Sequence, residues 1–68
     1  MKMISVSSSN IVSIGYENDF LDVRFRDNRT YRYFHVPESV FQELMNAPSK
    51  GKYLDLRIKG HFPFQLLS

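Results

Sequence analysis

The sequence predicts an α+β domain: a small antiparallel β-meander of three main strands, with two short helices packed on one face. Three observations carry that reading. Between residues 11 and 36, apolar side chains recur at every second position, the period of a strand with one buried face. The strand-like segments are separated by "END" (17–19) and "RDN" (26–28), whose Asn and Asp favour turns. After Val36-Pro37 the apolar spacing changes to that of a helix.

The elements follow in order. A short N-terminal strand precedes the serine triplet Ser7–Ser9, which reads as a turn. Ile11 to Glu17 alternates, with Val12, Ile14 and Tyr16 on one face and Ile11, Ser13 and Gly15 on the other. Phe20 to Arg26 places Leu21, Val23 and Phe25 together and Asp22, Arg24 and Arg26 opposite. Thr30 to Val36 is the third clear strand.

The register of this last hairpin decides which side chains face the core, because a one-residue slip exchanges the two faces. A two-residue loop at Asp27-Asn28 sets Tyr31 and Tyr33 beside Arg24 and Asp22. A three-residue loop, Arg26-Asp27-Asn28, pairs Val23 with Tyr31 and Leu21 with Tyr33 and gives the sheet one apolar face. It needs Asn28 at positive φ, which Asn tolerates. The three-residue loop is therefore expected, with Phe20, Asp22, Arg24, Thr30, Arg32 and Phe34 on the opposite face.

"VPESVFQELMNA" is the clearest helix. Pro37 fits its first position, Glu38 complements the dipole, and Val40, Phe41, Leu44 and Met45 form the core stripe. Val36 can pack back as a staple, and Pro48 stops the helix. Over 49–59, Leu54, Leu56 and Ile58 alternate as in a strand, yet the same stretch fits a short helix. Ser49 as an N-cap favours the helix. The core is expected over about 7–59 of a single 1–68 domain. The apolar tail 61–68 is expected as an edge segment or extended arm, because Pro63 bars it from a central strand.

Composition bounds the function. A chain of 68 residues buries only about 60% of its unfolded surface, and six Phe and four Tyr supply the large core side chains that this requires. The absence of Cys removes disulfides and thiolate metal sites, and His35 and His61 lack zinc-ligand spacing. No cofactor, metal or membrane association is expected. The N-terminal apolar stretch is too short for a signal-peptide core, which points to a cytoplasmic location. A net charge of +2 permits nucleic-acid binding without demanding it.

"YRYFHVP", a helix, and then "APSKGKY…IKG" together resemble the KTSC domain family, small modules named for the C-terminus of some lysyl-tRNA synthetases and also found free-standing in bacteria and phages. The matching positions are Tyr31, Tyr33, Val36, Pro37, Ala47, Ser49, Gly51, Tyr53, Ile58 and Lys59, with Gly15-Tyr16 upstream. Asn28 departs from the glycine common in the family's hairpin. The resemblance implies the fold, and its synthetase context implies RNA as a partner.

Two surfaces are candidates for such binding. On the open sheet face, Arg24, Arg26 and Arg32 interleave with Phe20 and Phe34, a mixture that stacks on bases and neutralises phosphates. The plainer reading pairs these arginines with Asp22 and Asp27 and covers the rings with Phe62 and Phe64. In "SKGKY", Lys50 and Lys52 flank Gly51 at a helix start, where phosphate is attracted. No Walker pattern is present, so nucleotide hydrolysis is not supported, and the plainer reading is a capped helix with solvated lysines. Arg57 and Lys59 extend the basic set. The carboxylates are scattered and His35 has no catalytic neighbour, so no enzyme activity is expected. The leading expectation is a binding module for RNA or single-stranded nucleic acid. The alternative is a protein-interaction module that docks a protein partner, or a second copy, through 61–68.

Overall fold

The computed structural model describes residues 1–68 as an antiparallel sheet in the order β1-β2-β3-β4-β5 with two helices. The strands are β1 (Met3–Ser5), β2 (Ile11–Glu17), β3 (Phe20–Phe25), β4 (Thr30–Tyr33) and β5 (Phe64–Leu66). Helix α1 spans Glu38–Asn46, and α2 spans Lys50–Tyr53 and runs on as a π-helical segment, Leu54–Ile58. The expected short N-terminal strand is β1, and of the two alternatives for the tail the edge segment is found, as β5. The tail beyond residue 60 is the edge of the sheet and not an appendage.

The β3–β4 hairpin has the three-residue loop. Leu21 pairs with Tyr33 and Val23 with Tyr31, while Asn28 takes φ 70° and its N–H donates to Phe25 O at 3.0 Å. The β2–β3 turn is tighter. Glu17 pairs with Phe20, leaving Asn18 and Asp19 as the central residues, both at positive φ. That backbone matches the right-handed twist of hairpin strands and suits Asn and Asp better than other non-glycine residues.

A β-bulge changes the expected faces of β2. The register shifts between Ile11 and Ser13, so Val12 is the extra residue and Ile11 pairs with Phe25. Ile11 therefore joins Ile14 in the core, fully buried, whereas Val12 is half-buried. Strict alternation had placed them the other way round. β4 also ends sooner than expected. His35 adopts φ 61°, which turns the chain off the sheet and sends Val36 under α1. The Val36 N–H donates to Asp19 O at 2.9 Å, tying this turn to the neighbouring one.

Pro37 sits one position earlier than expected, as the N-cap of α1, with its carbonyl accepting from the Val40 and Phe41 N–H groups. The face of the sheet that carries Ile11, Ile14, Leu21, Val23 and Tyr33 packs against Val36, Leu44, Leu54 and Ile58. Each fully buried Leu or Ile contributes about 1.5–3 kcal/mol of transfer free energy. Phe41 adds a parallel stack on Tyr16, with centroids 4.8 Å apart. Both helices thus lie on one side of the sheet and leave the other side without a covering layer.

The second helix begins as Ser49 suggested. The Ser49 Oγ accepts from the Lys52 N–H at 3.3 Å, and the alternating Leu54, Leu56 and Ile58 belong to a helix. Leu54 and Ile58 are buried while Leu56 is 70% exposed. The π turn closes with the Lys59 N–H donating to Leu54 O at 2.8 Å, and Gly60 at φ 81° ends it. No helix is long and apolar enough to cross a membrane.

Candidate functional site

The expected basic residues divide between two places. Arg24 and Arg32 project from the uncovered sheet face, as strand alternation requires. Arg32 is engaged there. Its Nε and Nη2 donate to the two Asp22 carboxylate oxygens at 2.8 and 3.0 Å, and its guanidinium lies 5.1 Å from the Phe20 ring centroid. The hydrogen bonds to Asp22 raise the Arg32 pKa further above its ordinary value. Phe34 meets Phe20 edge to face at 5.3 Å. Phe64, expected over these rings, lies instead on the helix-side face, stacked on Tyr31 at 5.6 Å, and Phe62 packs against the core. Asp27 pairs with Arg29 and leaves Arg24 and Arg26 alone. Arg24 is exposed and has no ion-pair partner.

The remaining basic residues gather at one end of the molecule. A groove of about 370 Å³ runs between the loop Ser7–Asn10 and the segment Pro48–Lys52, and none of its lining residues is hydrophobic. Lys50 and Lys52 stand on its helical wall and neither has a carboxylate partner. Lys50 reaches back to donate to Ala47 O at 3.3 Å, and Lys52 is exposed. The opposite wall is held by Arg26, whose Nε and Nη2 donate to Ser9 O and Ser8 O at 2.9 Å each. Ser8 Oγ in turn accepts from the Asn10 and Ile11 N–H groups. Arg26 thus shapes the loop, a role that its place on the strand pattern did not reveal.

A second groove of about 340 Å³ adjoins the first and shares Asn10, Gly51 and Asp55 with it. Arg26 and Lys59 line that side. Lys59 pairs with Asp55 at 3.0 Å and lies 5.7 Å from the Phe25 ring centroid. Arg57 and Lys52 share a third, shallow groove with Tyr53 and the exposed Leu56. The Tyr53 hydroxyl, whose pKa burial and Glu43 raise, donates to Glu43 at 2.8 Å and ties α2 to α1.

Gly51 is the residue between the grooves. It has helical backbone, and a Cβ placed on it would meet nothing within 4 Å. Gly15 differs: there a Cβ would meet Met3 Sδ at 2.5 Å and Lys2 O at 3.1 Å. Gly15 is explained by the N-terminal segment Met1–Met3, whose backbone and methionine side chains occupy the space its Cβ would need. At Gly51 neither a turn nor a close approach within the fold accounts for glycine, which costs about 0.5–1 kcal/mol against alanine in a helix interior.

An antiparallel sheet with two helices on one side and a polar basic cleft at the helix end defines a small α+β module. Comparison with known proteins then places it. The family model of the KTSC domain matches residues 7–62, and the chain belongs to that family. It is similar to a lysine–tRNA ligase of Nostoc punctiforme, 40% identical over 68 residues, which cover 97% of this chain. The chain spans only 12% of that ligase. A small protein of Stutzerimonas stutzeri is 39% identical over 57 residues, covering 81% of this chain and 80% of its own. The crystal structure of a KTSC domain protein from Yersinia pestis superposes with a TM-score of 0.93 at 43% identity, covering 98% of this chain and 97% of the other. The motif residues Tyr31, Tyr33, Val36 and Pro37 build the core and the entry to α1. Ser49, Gly51 and Tyr53 cap the cleft, line it and brace it.

Proposed function

We propose that this domain is a non-enzymatic module that binds RNA or another single-stranded nucleic acid through the cleft between Ser7–Asn10 and Pro48–Lys52. The observation that carries the reading is that cleft's chemistry. Two ammonium groups without carboxylate partners flank a glycine with open space where its side chain would be. Backbone phosphates of a strand can approach Gly51, with Lys50 and Lys52 each neutralising one. Ser7, Ser9 and Asn10 offer hydroxyl and amide groups on the facing wall. The family's place within lysine–tRNA ligases is consistent with an RNA partner.

Titration of the protein with a labelled single-stranded RNA of mixed sequence, at low and at moderate salt, tests the reading. Binding at micromolar protein that weakens with added salt is expected, with a slope of about −0.7 per phosphate neutralised on a logarithmic plot. Absence of salt-dependent binding at that concentration removes the proposal.

A further inference from the structure

We propose that the groove beside the cleft takes a guanine base of the bound strand, and that the Lys59–Asp55 pair reads the edge of that base. The inference rests on the RNA reading above, since it seats the base of a nucleotide whose phosphate lies in the cleft. The cleft and the groove share Asn10, Gly51 and Asp55, so they are adjoining compartments of one surface. Gly51 puts no side chain between them, and a Cβ there would meet nothing within 4 Å.

The two compartments differ in chemistry as a phosphate site and a base site differ. No hydrophobic residue lines the cleft, whereas Ile11, Phe25 and Leu54 line the groove. At about 340 Å³ the groove is near the small end of ligand pockets, about 300–1,000 Å³, a size for one base. Lys59 Nζ lies 3.0 Å from Asp55 Oδ1 and 5.7 Å from the centroid of the Phe25 ring. A donor and an acceptor thus stand side by side against an apolar lining.

Asp55 is the residue that the fold alone does not explain. Both members of its pair with Lys59 are exposed, and exposed pairs contribute little to stability. On a surface that holds phosphates a carboxylate repels the ligand, unless it accepts from the base. Apart from Lys59, no group of the chain donates to Asp55. Asp27, the other carboxylate of the groove, instead accepts from the Arg29 N–H at 3.1 Å and pairs with the Arg29 side chain. A carboxylate only accepts, through two oxygens. The Watson–Crick edge of guanine offers it N1–H and the N2 amino group side by side, and O6 next to them accepts from Lys59. Adenine and cytosine set a ring-nitrogen acceptor beside the amino group, and uracil sets a carbonyl on each side of its single N–H. Each of these would face the carboxylate with a lone pair.

Fluorescence anisotropy of short labelled uridine strands tests it, each with one central guanosine, inosine, adenosine or uridine, at a single salt concentration. Guanosine is expected to tighten binding about tenfold over adenosine or uridine. Inosine, which keeps O6 and N1–H but lacks the N2 amino group, should fall between. Asp55→Asn should remove the guanosine advantage and tighten the all-uridine strand, since a charge facing the phosphates is lost. Asp27→Asn should keep the advantage. Equal binding of all the strands to the wild type overturns the guanine assignment and leaves RNA binding intact. So does an advantage that survives Asp55→Asn, the result for a carboxylate acting only through its charge, or one that is lost in Asp27→Asn. Failure of every strand to bind overturns both readings. Should Asp55→Asn unfold, the inosine strand on the wild type decides. An affinity between those of guanosine and adenosine supports the proposal, and equality with guanosine refutes it.

Discussion

The two faces of the sheet do different work with neighbouring residues of the same strands. On one side Leu21, Val23 and Tyr33 are buried beneath the helices. On the other, the buried Asp22 and the half-buried Arg32 satisfy each other and the exposed Arg24 stands free. The difference teaches that basic residues on a strand are not automatically a binding surface. Arg32 is held by its neighbour and Arg26 is spent on the backbone of the serine loop. At the helix end Lys50 and Lys52 border a cleft and have no carboxylate partner, Lys50 donating to Ala47 O and Lys52 exposed.

Substitutions can break this contrast, and the largest effect is expected on the covered face. Ile58→Ala should cost about 2–5 kcal/mol in urea unfolding, a large share of the stability of so small a domain. A next, smaller effect concerns pH. Burial raises the Tyr33 hydroxyl, and burial followed by the Asp19 hydrogen bond raises Tyr16. The folded state thus holds these phenols neutral more firmly than the unfolded chain does. The stability they contribute is complete below about pH 10, the ordinary tyrosine value, and is lost as pH rises through the higher folded values. Thermal melts should fall steeply in that range, and Tyr33→Phe should soften the fall.

Gly51→Ala sharpens the comparison differently. Helix propensity and the open space at this position predict a gain of about 0.5 kcal/mol in stability, accompanied by weaker RNA binding. A glycine kept only by chance would show the first effect without the second. The smallest effect belongs to the open face: Arg24→Ala should change stability by no more than about 0.5 kcal/mol, because its side chain is exposed and unpaired.

Much of the fold was legible from local signals. Alternation and the need for one apolar face set the β3–β4 register, and Asn28 supplied the positive φ that this loop demands. Ser49 announced the second helix through its cap, despite an alternating run that also fits a strand. What was hidden depends on distant partners. The bulge at Val12 arises where β2 must fit β3, and its own residues are all compatible with a regular strand. The strand character of Phe64–Leu66 comes from pairing with Tyr31–Tyr33, many residues away in sequence. His35 takes a left-handed conformation because the chain must leave the sheet for α1 there, and histidine carries no local signal for it.

The site was legible in part. Lys50, Gly51 and Lys52 could be singled out as a cluster, and Lys59 and Arg57 fall nearby in the structure. The facing wall, Ser7–Asn10, could not be, because it reaches the cleft only through the fold of β2 and the anchor of Arg26.

The division of the basic residues into two places can be tested by one measurement: the salt dependence of RNA affinity for Lys50→Ala/Lys52→Ala beside that for Arg24→Ala. Loss of two phosphate contacts should flatten the logarithmic slope by about 1.4 in the lysine variant and leave it unchanged in the arginine variant. An unchanged slope in the lysine variant, or a flattened one in Arg24→Ala, would contradict the assignment of the cleft.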